Sequence, residues 1–208
     1  MGRQTMATSI LRNPTLADNL LQDITLPKAV KLVGLALIGS ALIAISAHIQ
    51  VPFWPVPVTM QTFAVLVVGM AYGWRLGGAT ILTYLAQGAA GLPVFAKGAG
   101  LAYFAGPTTG YLIGFVVAAM LVGWLAERNW DRSFLKTMAA NAMGTAIIFT
   151  SGFAWLSLFL ANAKGIPVSE AALVAFNVGV TPFLIGAAAK IALATAVLPF
   201  AWKLLGKR

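Results

Sequence analysis

Six apolar runs divide this chain, and none of its five carboxylates lies inside any of them. The runs cover about 30–49, 58–73, 77–90, 107–126, 134–160 and 182–203; Asp18 and Asp23 precede the first, and Glu127, Asp131 and Glu170 fall in connections. Apolar runs this long, free of acids, read as membrane-crossing helices. The composition agrees, with 60% hydrophobic and 9% charged residues and a mean hydropathy of +0.87, where soluble domains carry about a quarter charged. The expected fold is an all-α membrane protein: a compact six-helix bundle over residues 28–208, preceded by an N-terminal tail, residues 1–27. Some runs are shorter than the roughly 20 residues a lone crossing helix needs, which packing inside a bundle tolerates.

The tail has no continuous apolar core of a cleavable signal. Leu16, Leu20, Leu21 and Ile24 recur at helical spacing, with Thr15 placed as an N-cap and Asp18 at the third helical position. Two readings stand, a short amphipathic helix on the cytoplasmic membrane surface or a disordered tail.

Charge placement gives an orientation. With the N-terminus inside and the runs alternating, the inner side holds Arg3, Arg12, Lys28, Lys31, Arg75, Arg128, Arg132, Lys136, Lys203, Lys207 and Arg208, and the outer side only Lys97 and Lys164. That asymmetry follows the positive-inside rule and puts both termini in the cytoplasm of a bacterial-type plasma membrane. Trp74, Trp124, Trp130 and Trp202 fall at inner ends and Trp54 at an outer one, as in an aromatic belt.

The breakers are equally informative. The first run ends at Val51-Pro52-Phe53-Trp54-Pro55-Val56-Pro57; the fourth opens at Pro107 and the sixth at Pro182, with Thr181 as its N-cap. Residues 91–106 are too apolar for a solvated loop and too Gly-rich for a helix, which suits a lid over a pocket. Within 161–180, Ser169 reads as an N-cap and Ala171 to Val178 as a short helix lying across the outer face.

Several function classes are excluded. The net charge of +9 sits at run ends and forms no basic face for nucleic acid. Zero cysteine removes disulfides, thiolate catalysis and cysteine-ligated metals. No Walker A motif is present; Gly206-Lys207-Arg208 lacks its spacing and hydroxyl residue. With no carboxylate in a run, the usual proton or sodium relay is missing. The single histidine, His48, reads as a hydrogen-bonded interfacial residue, with a proton relay as the alternative. No catalytic residue, metal site or cofactor is expected; a solute-binding membrane protein energised by another subunit fits these absences.

Lys190 is the exception inside the last run. A lysine near the bilayer centre costs roughly 2.5–3.5 kcal/mol on insertion scales and, lacking an acid in the protein, points to an anionic ligand. Eight residues past Pro182, it lies about 12 Å below the helix start. A neutral lysine and a snorkelling lysine are the alternatives.

Three stretches carry a resemblance: Pro55-Val56-Pro57-Val58-Thr59-Met60-Gln61-Thr62-Phe63, Gly91-Leu92-Pro93-Val94-Phe95 and Gly106-Pro107-Thr108-Thr109-Gly110-Tyr111-Leu112-Ile113-Gly114-Phe115. In this order and spacing they resemble the BioY family, the biotin-binding S components of energy-coupling-factor transporters, over residues 30–203. The resemblance implies a six-helix S-component fold and capture of biotin from outside, in a pocket under external loops. It also implies docking to a T component carrying two ATPase subunits, or a homo-oligomer where such partners are missing. The family's last motif often reads Pro-Phe-Leu-x-Gly-Asp-x-x-Lys, whereas this chain has Ala187 at the aspartate position and keeps Lys190. S components often carry Ala-x-x-x-Ala on the first helix for docking; here Ala36, Ser40 and Ala44 keep the spacing and small size, with internal packing as the alternative.

The resemblance pairs Lys190 with the valerate carboxylate of biotin. Tyr84 and Gln87, three apart near an outer end, are candidates for the ureido ring. Phe95, Tyr103 and Phe104 on the apolar connection are candidates for covering the thiophane ring, and Lys97 for holding an anion. Thr108, Thr109 and Tyr111 open the fourth run, where free N–H groups favour an anion or carbonyl. Gln61 and Thr59 read as interhelical glue and Asn141 as structural. The rival functions are an S component for another small anionic vitamin, a structural membrane protein without a solute, and a self-sufficient carrier.

Overall fold

The computed structural model describes residues 13–22 and 24–205. Arg3, Arg12, Asp23, Lys207 and Arg208, used in the charge reading, lie outside the described residues. Among the described residues, five helical stretches are long and apolar enough to cross a membrane: Lys28–His48, Gln61–Ala89, Thr109–Ala126, Phe134–Lys164 and Val168–Leu204. The six expected crossings fit these five stretches because the second is doubled on itself.

In chain order the helices are α1 (Leu16–Leu21), α2 (Lys28–His48), α3 (Gln61–Ala89), α4 (Thr109–Ala126), α5 (Phe134–Lys164), α6 (Val168–Gly179) and α7 (Leu184–Leu205). Two short strands, β1 (Gln50–Val51) and β2 (Val58–Thr59), pair antiparallel between α2 and α3, with Gln50 opposite Thr59. The Pro-rich stretch therefore forms the tip of a hairpin rather than an open loop.

The run of α3 is broken at Gly73, whose φ of 79° and ψ of 172° only glycine adopts without strain. The chain reverses there. A Cβ on Gly77 would lie 3.0 Å from Gly69 Cα, and Gln61 Nε2 donates to Tyr84 Oη at 2.7 Å, so the two legs run side by side. The expected second and third runs are these legs, joined by a one-residue turn.

α6 departs from expectation. It begins after Pro167, not at a Ser169 cap, and does not lie across the end of the bundle. The Phe153–Phe176 ring pair at 6.3 Å and the seat of Gly179 against Leu156 lay it antiparallel along the last part of α5. A 3-10 turn over Thr181–Phe183 then leads into α7. Ala171 and Ala175 are fully buried, so the short helix is held by its small-residue face against α5.

The core is aliphatic and aromatic, built on Ile43, Leu66, Met70, Ile81, Ile148, Leu156 and Leu198. The outer faces are also apolar: Ile38, Ile45, Leu173 and Ile185 are exposed, the pattern of helices whose surroundings are hydrocarbon. His48 is exposed at the end of α2, and Asn141 is fully buried on α5.

Thr15 and Asp18 form the capping box of α1: Asp18 Oδ2 accepts from Thr15 N at 2.9 Å and Thr15 Oγ1 from Asp18 N at 3.3 Å. The helix is not laid on the membrane by a full leucine stripe. Leu16 and Ala17 are buried in the bundle, while Leu20 and Ile24 stay exposed. Asn13 Nδ2 donates to the Glu127 carbonyl and Arg132 Nη2 to the Pro14 carbonyl, tying this segment to the Gly73 end.

At the same end Asp131 is buried and accepts from Trp202 Nε1. Burial pushes its carboxyl up, against the lowering effects of the Trp202 N–H, its own backbone N–H and the Arg132 charge. The folded state then holds a proton that the unfolded state has lost, so this group's contribution to stability declines as pH rises past the unfolded carboxylate range, roughly 4. Asp131→Asn keeps an acceptor for Trp202 without the buried charge. Its Tm at neutral pH is expected to equal or exceed that of the native chain, with the advantage shrinking on acidification. A variant that melts lower at neutral pH would show that the charge itself is stabilising.

Candidate functional site

The β-hairpin, both legs of α3, the 91–106 connection, the starts of α4 and α7 and the middle of α5 surround one cavity, with about 600 Å³ of space including the part open to solvent. The β-hairpin supplies Val56, Pro57 and Thr59; α3 supplies Gln61, Thr62 and Tyr84; the 91–106 connection supplies Phe95, Ala96 and Tyr103. Thr108, which caps α4, and Tyr111, Leu112 and Phe115 at its start contribute, with Phe149 from α5, Phe183 from the 3-10 turn, and Ala187 and Lys190 from the start of α7.

Lys190 brings the one charged side chain among the described lining residues. It is half-buried, and its Nζ donates to the Thr59 carbonyl at 2.5 Å. Phe183, Ala187 and Lys190 follow an i, i+4, i+7 pattern and share one face of the α7 region. The ammonium therefore sits beside an aromatic and a methyl wall, with donors left over.

Tyr84 is fully buried, accepting from Gln61 Nε2 at 2.7 Å and donating to the Val94 carbonyl at 3.1 Å. Gln61 Oε1 in turn accepts from Thr59 Oγ1 at 3.2 Å. This chain of hydrogen bonds fixes the polar rim of the cavity to both legs of α3 and to the connection above it. Tyr111 is fixed separately, its hydroxyl donating to the Gly179 carbonyl at 2.7 Å.

Phe95 closes one side. Its ring lies over Gly88, where a Cβ would come within 2.0 Å of Cζ, so only glycine leaves the seat open. The ring stacks on Tyr103 at 4.5 Å and meets Tyr84 and Phe104 edge-on at 5.4 and 5.6 Å. These contacts hold an apolar, irregular segment in place without a helix. The hairpin and the connection are tied to each other by Gln50 Nε2 donating to Ala96 O at 3.1 Å and Lys97 Nζ donating to Phe53 O at 3.0 Å.

Of the residues anticipated from sequence, Lys190, Tyr84, Phe95, Tyr103, Thr108 and Tyr111 come together on this cavity. Gln87 does not line it: although it shares a face with Tyr84, its Oε1 accepts from Ser40 Oγ on α2. Lys97 is exposed and spends its ammonium on the hairpin. Thr109 lies behind the wall, its hydroxyl donating to the Phe104 carbonyl. Ser40, the middle of the small-residue triad, is fully buried against α3, and Ala36 and Ala44 are half-buried beside it. That face is turned into the bundle. Gln61 and Thr59, which the sequence favours as interhelical glue, line the cavity, as do Phe115, Phe149 and Phe183, for the last of which the spacing from Lys190 is a usable signal.

The BioY family model matches residues 17–207. The chain belongs to the BioY family. Its relatives include the biotin transporter BioY of Thermotoga maritima, 37% identical over 71% of this chain and 81% of that protein. The probable biotin transporter BioY of Pyrococcus horikoshii is 34% identical over 80% of this chain and 93% of its own length. Among solved structures, the S-component for biotin from an ECF-type ABC transporter superposes with a TM-score of 0.68 over 85% of this chain and 93% of that one, at 24% identity. At that identity the match establishes the fold: this BioY chain has the S-component architecture.

Proposed function

We propose that this BioY chain binds biotin in the cavity under the β-hairpin and the 91–106 connection, and delivers it across the membrane. The observation that carries the reading is Lys190, one ammonium in a cavity otherwise lined by apolar, aromatic and uncharged polar groups. Biotin matches it part for part: one carboxylate, an apolar chain and ring, and a ureido group for the Thr59–Gln61–Tyr84 rim. The chain is a transport protein and not an enzyme. Titration calorimetry on detergent-purified protein tests the assignment: saturable binding of one biotin per chain is expected, and a folded sample that takes up no heat from biotin rejects it.

A second reading is favoured by Ala187, which puts a methyl group in the cavity wall at the position of the family's aspartate. On that reading the ligand is another small anionic vitamin. A thermal-shift series over small carboxylate vitamins separates the two, since only the true ligand raises Tm at micromolar concentration.

The proposed orientation places the cavity on the external side and both termini in the cytoplasm of a bacterial-type plasma membrane. Energy would come from a T component with ATPase subunits docked on the outward face of α2, around Leu37, Ile38 and Ile45, or the chain would act as a homo-oligomer. Lys97 is assigned to the two-loop cover and not to the anion. Lys97→Met should raise the biotin dissociation rate by up to about fivefold, the scale of one hydrogen bond, with little change in association. Stopped-flow exchange measures both, and an equal loss in association would return Lys97 to a steering role.

A further inference from the structure

At the Gly73 end, two arginines place their guanidinium carbons over tryptophan rings that wall the same groove. Arg75 sits 5.0 Å from the Trp74 ring centroid, and Arg128 3.5 Å from that of Trp124. Between the two tryptophans, the second leg of α3 and α4 leave a groove completed by Val117, Met120 and Leu121, with about 820 Å³ of space including its open side. Gly78 makes room for it, since a Cβ there would lie 2.8 Å from Met120 Cγ. The walls are fixed at this end: a Cβ on Gly123 would lie 2.5 Å from the Gly73 carbonyl carbon, and Trp74 N donates to Glu127 Oε1 at 3.3 Å.

All five groove residues are apolar or aromatic, and Val117, Met120 and Trp124 are exposed. An apolar groove alone would accept any acyl chain. The guanidinium groups add a preference. Both arginines are exposed, and their contacts with Trp74 and Trp124 keep the two positive groups beside the groove. Arg128 Nη1 donates to the Trp124 carbonyl at 3.1 Å, leaving further N–H donors for a phosphate. A zwitterionic headgroup would bring its own cation against two others, whereas an anionic one meets complementary charge.

We propose that this groove binds one anionic phospholipid of the surrounding bilayer, its acyl chain lying between Trp74 and Trp124 and its phosphate between Arg75 and Arg128. The site is separate from the cavity and does not depend on which solute the cavity takes.

Brominated lipids quench tryptophan on contact and supply the test. The full chain is placed in nanodiscs of phosphatidylcholine containing a minor fraction of either brominated phosphatidylglycerol or brominated phosphatidylcholine. The difference between the native chain and Trp124→Phe isolates quenching at the groove. Brominated phosphatidylglycerol should quench that component about threefold or more over brominated phosphatidylcholine, on the scale of one to two basic contacts. The preference should vanish in Arg75→Gln/Arg128→Gln and persist in Lys136→Gln/Lys203→Gln, which removes equal charge from the same end. Should the arginine double variant fail to fold, Arg128→Gln alone reads the same ratio. Equal quenching by both lipids in the native chain overturns the proposal, as does loss of preference in both double variants, which would indicate diffuse attraction. Absence of any Trp124 quenching also overturns it and leaves the groove to a protein helix or a second copy.

Discussion

Lys190→Met should weaken biotin binding by a factor of roughly 30 or more, since truncating one partner of a buried charge pair costs about 2–5 kcal/mol. The side chain lies on a helix whose surroundings are apolar, where an ammonium is costly unless something shares its charge. In the protein the Thr59 carbonyl accepts one of its donors, which leaves donors and the net charge for a ligand carboxylate. A second titration with the methyl ester of biotin sharpens the test. The native chain should prefer the acid to the ester by about the factor lost on mutation, and Lys190→Met should bind the two alike. If Lys190→Met binds biotin within about threefold of the native chain, the carboxylate sits elsewhere in the cavity, although the family assignment stands. Loss of acid and ester binding together would instead indicate that the lysine holds the Thr59 backbone and β-hairpin in place.

Lys190 was legible in the sequence because a charge inside an apolar run has few structural uses. Tyr84, Phe95, Tyr103, Thr108 and Tyr111 were legible because they flank the segments where helices end and a membrane protein can hold irregular backbone. What failed was the direction in which side chains point. Gln87 faces Ser40, 47 residues away, and Lys97 faces Phe53, 44 residues away; no local pattern records such partners. The small-residue triad on α2 is a related case: small residues every fourth position mark a close approach, and Ser40 makes one to the α3 hairpin, where Gly39 already packs against Tyr72 and Thr80. Phe149 comes from the middle of α5, far from either end of that helix, so only the packed bundle reveals it. The runs of α3 could be counted from Arg75 and the glycines around it, but not the single-residue reversal that makes them one hairpin.

That reversal should be the most sensitive backbone position in the protein. Gly73→Ala places an L-residue at φ 79° and ψ 172°, a region occupied essentially by glycine, at a cost of about 1–3 kcal/mol. The new Cβ would also lie 2.5 Å from Glu127 Oε1 and 3.0 Å from Thr15 Cγ2. Glu127 is buried and cannot swing away without giving up its bond from the Trp74 N–H, the first amide of the second leg. Strain and a lost charge-assisted hydrogen bond together should lower stability by about 3 kcal/mol or more. Ligand binding should fall with it, because one leg carries Gln61 and the other Tyr84, and their mutual hydrogen bond fixes the rim of the cavity. Gly91→Ala is the matched control: its φ of 98° is also positive, but nothing lies within 4 Å of the added Cβ, so it should show backbone strain alone. Thermal melting of the two variants in the same detergent measures the difference. A Gly73→Ala protein that melts no lower than Gly91→Ala would mean that Glu127 relaxes freely and that the hairpin is held by packing between its legs, not by the geometry of its turn.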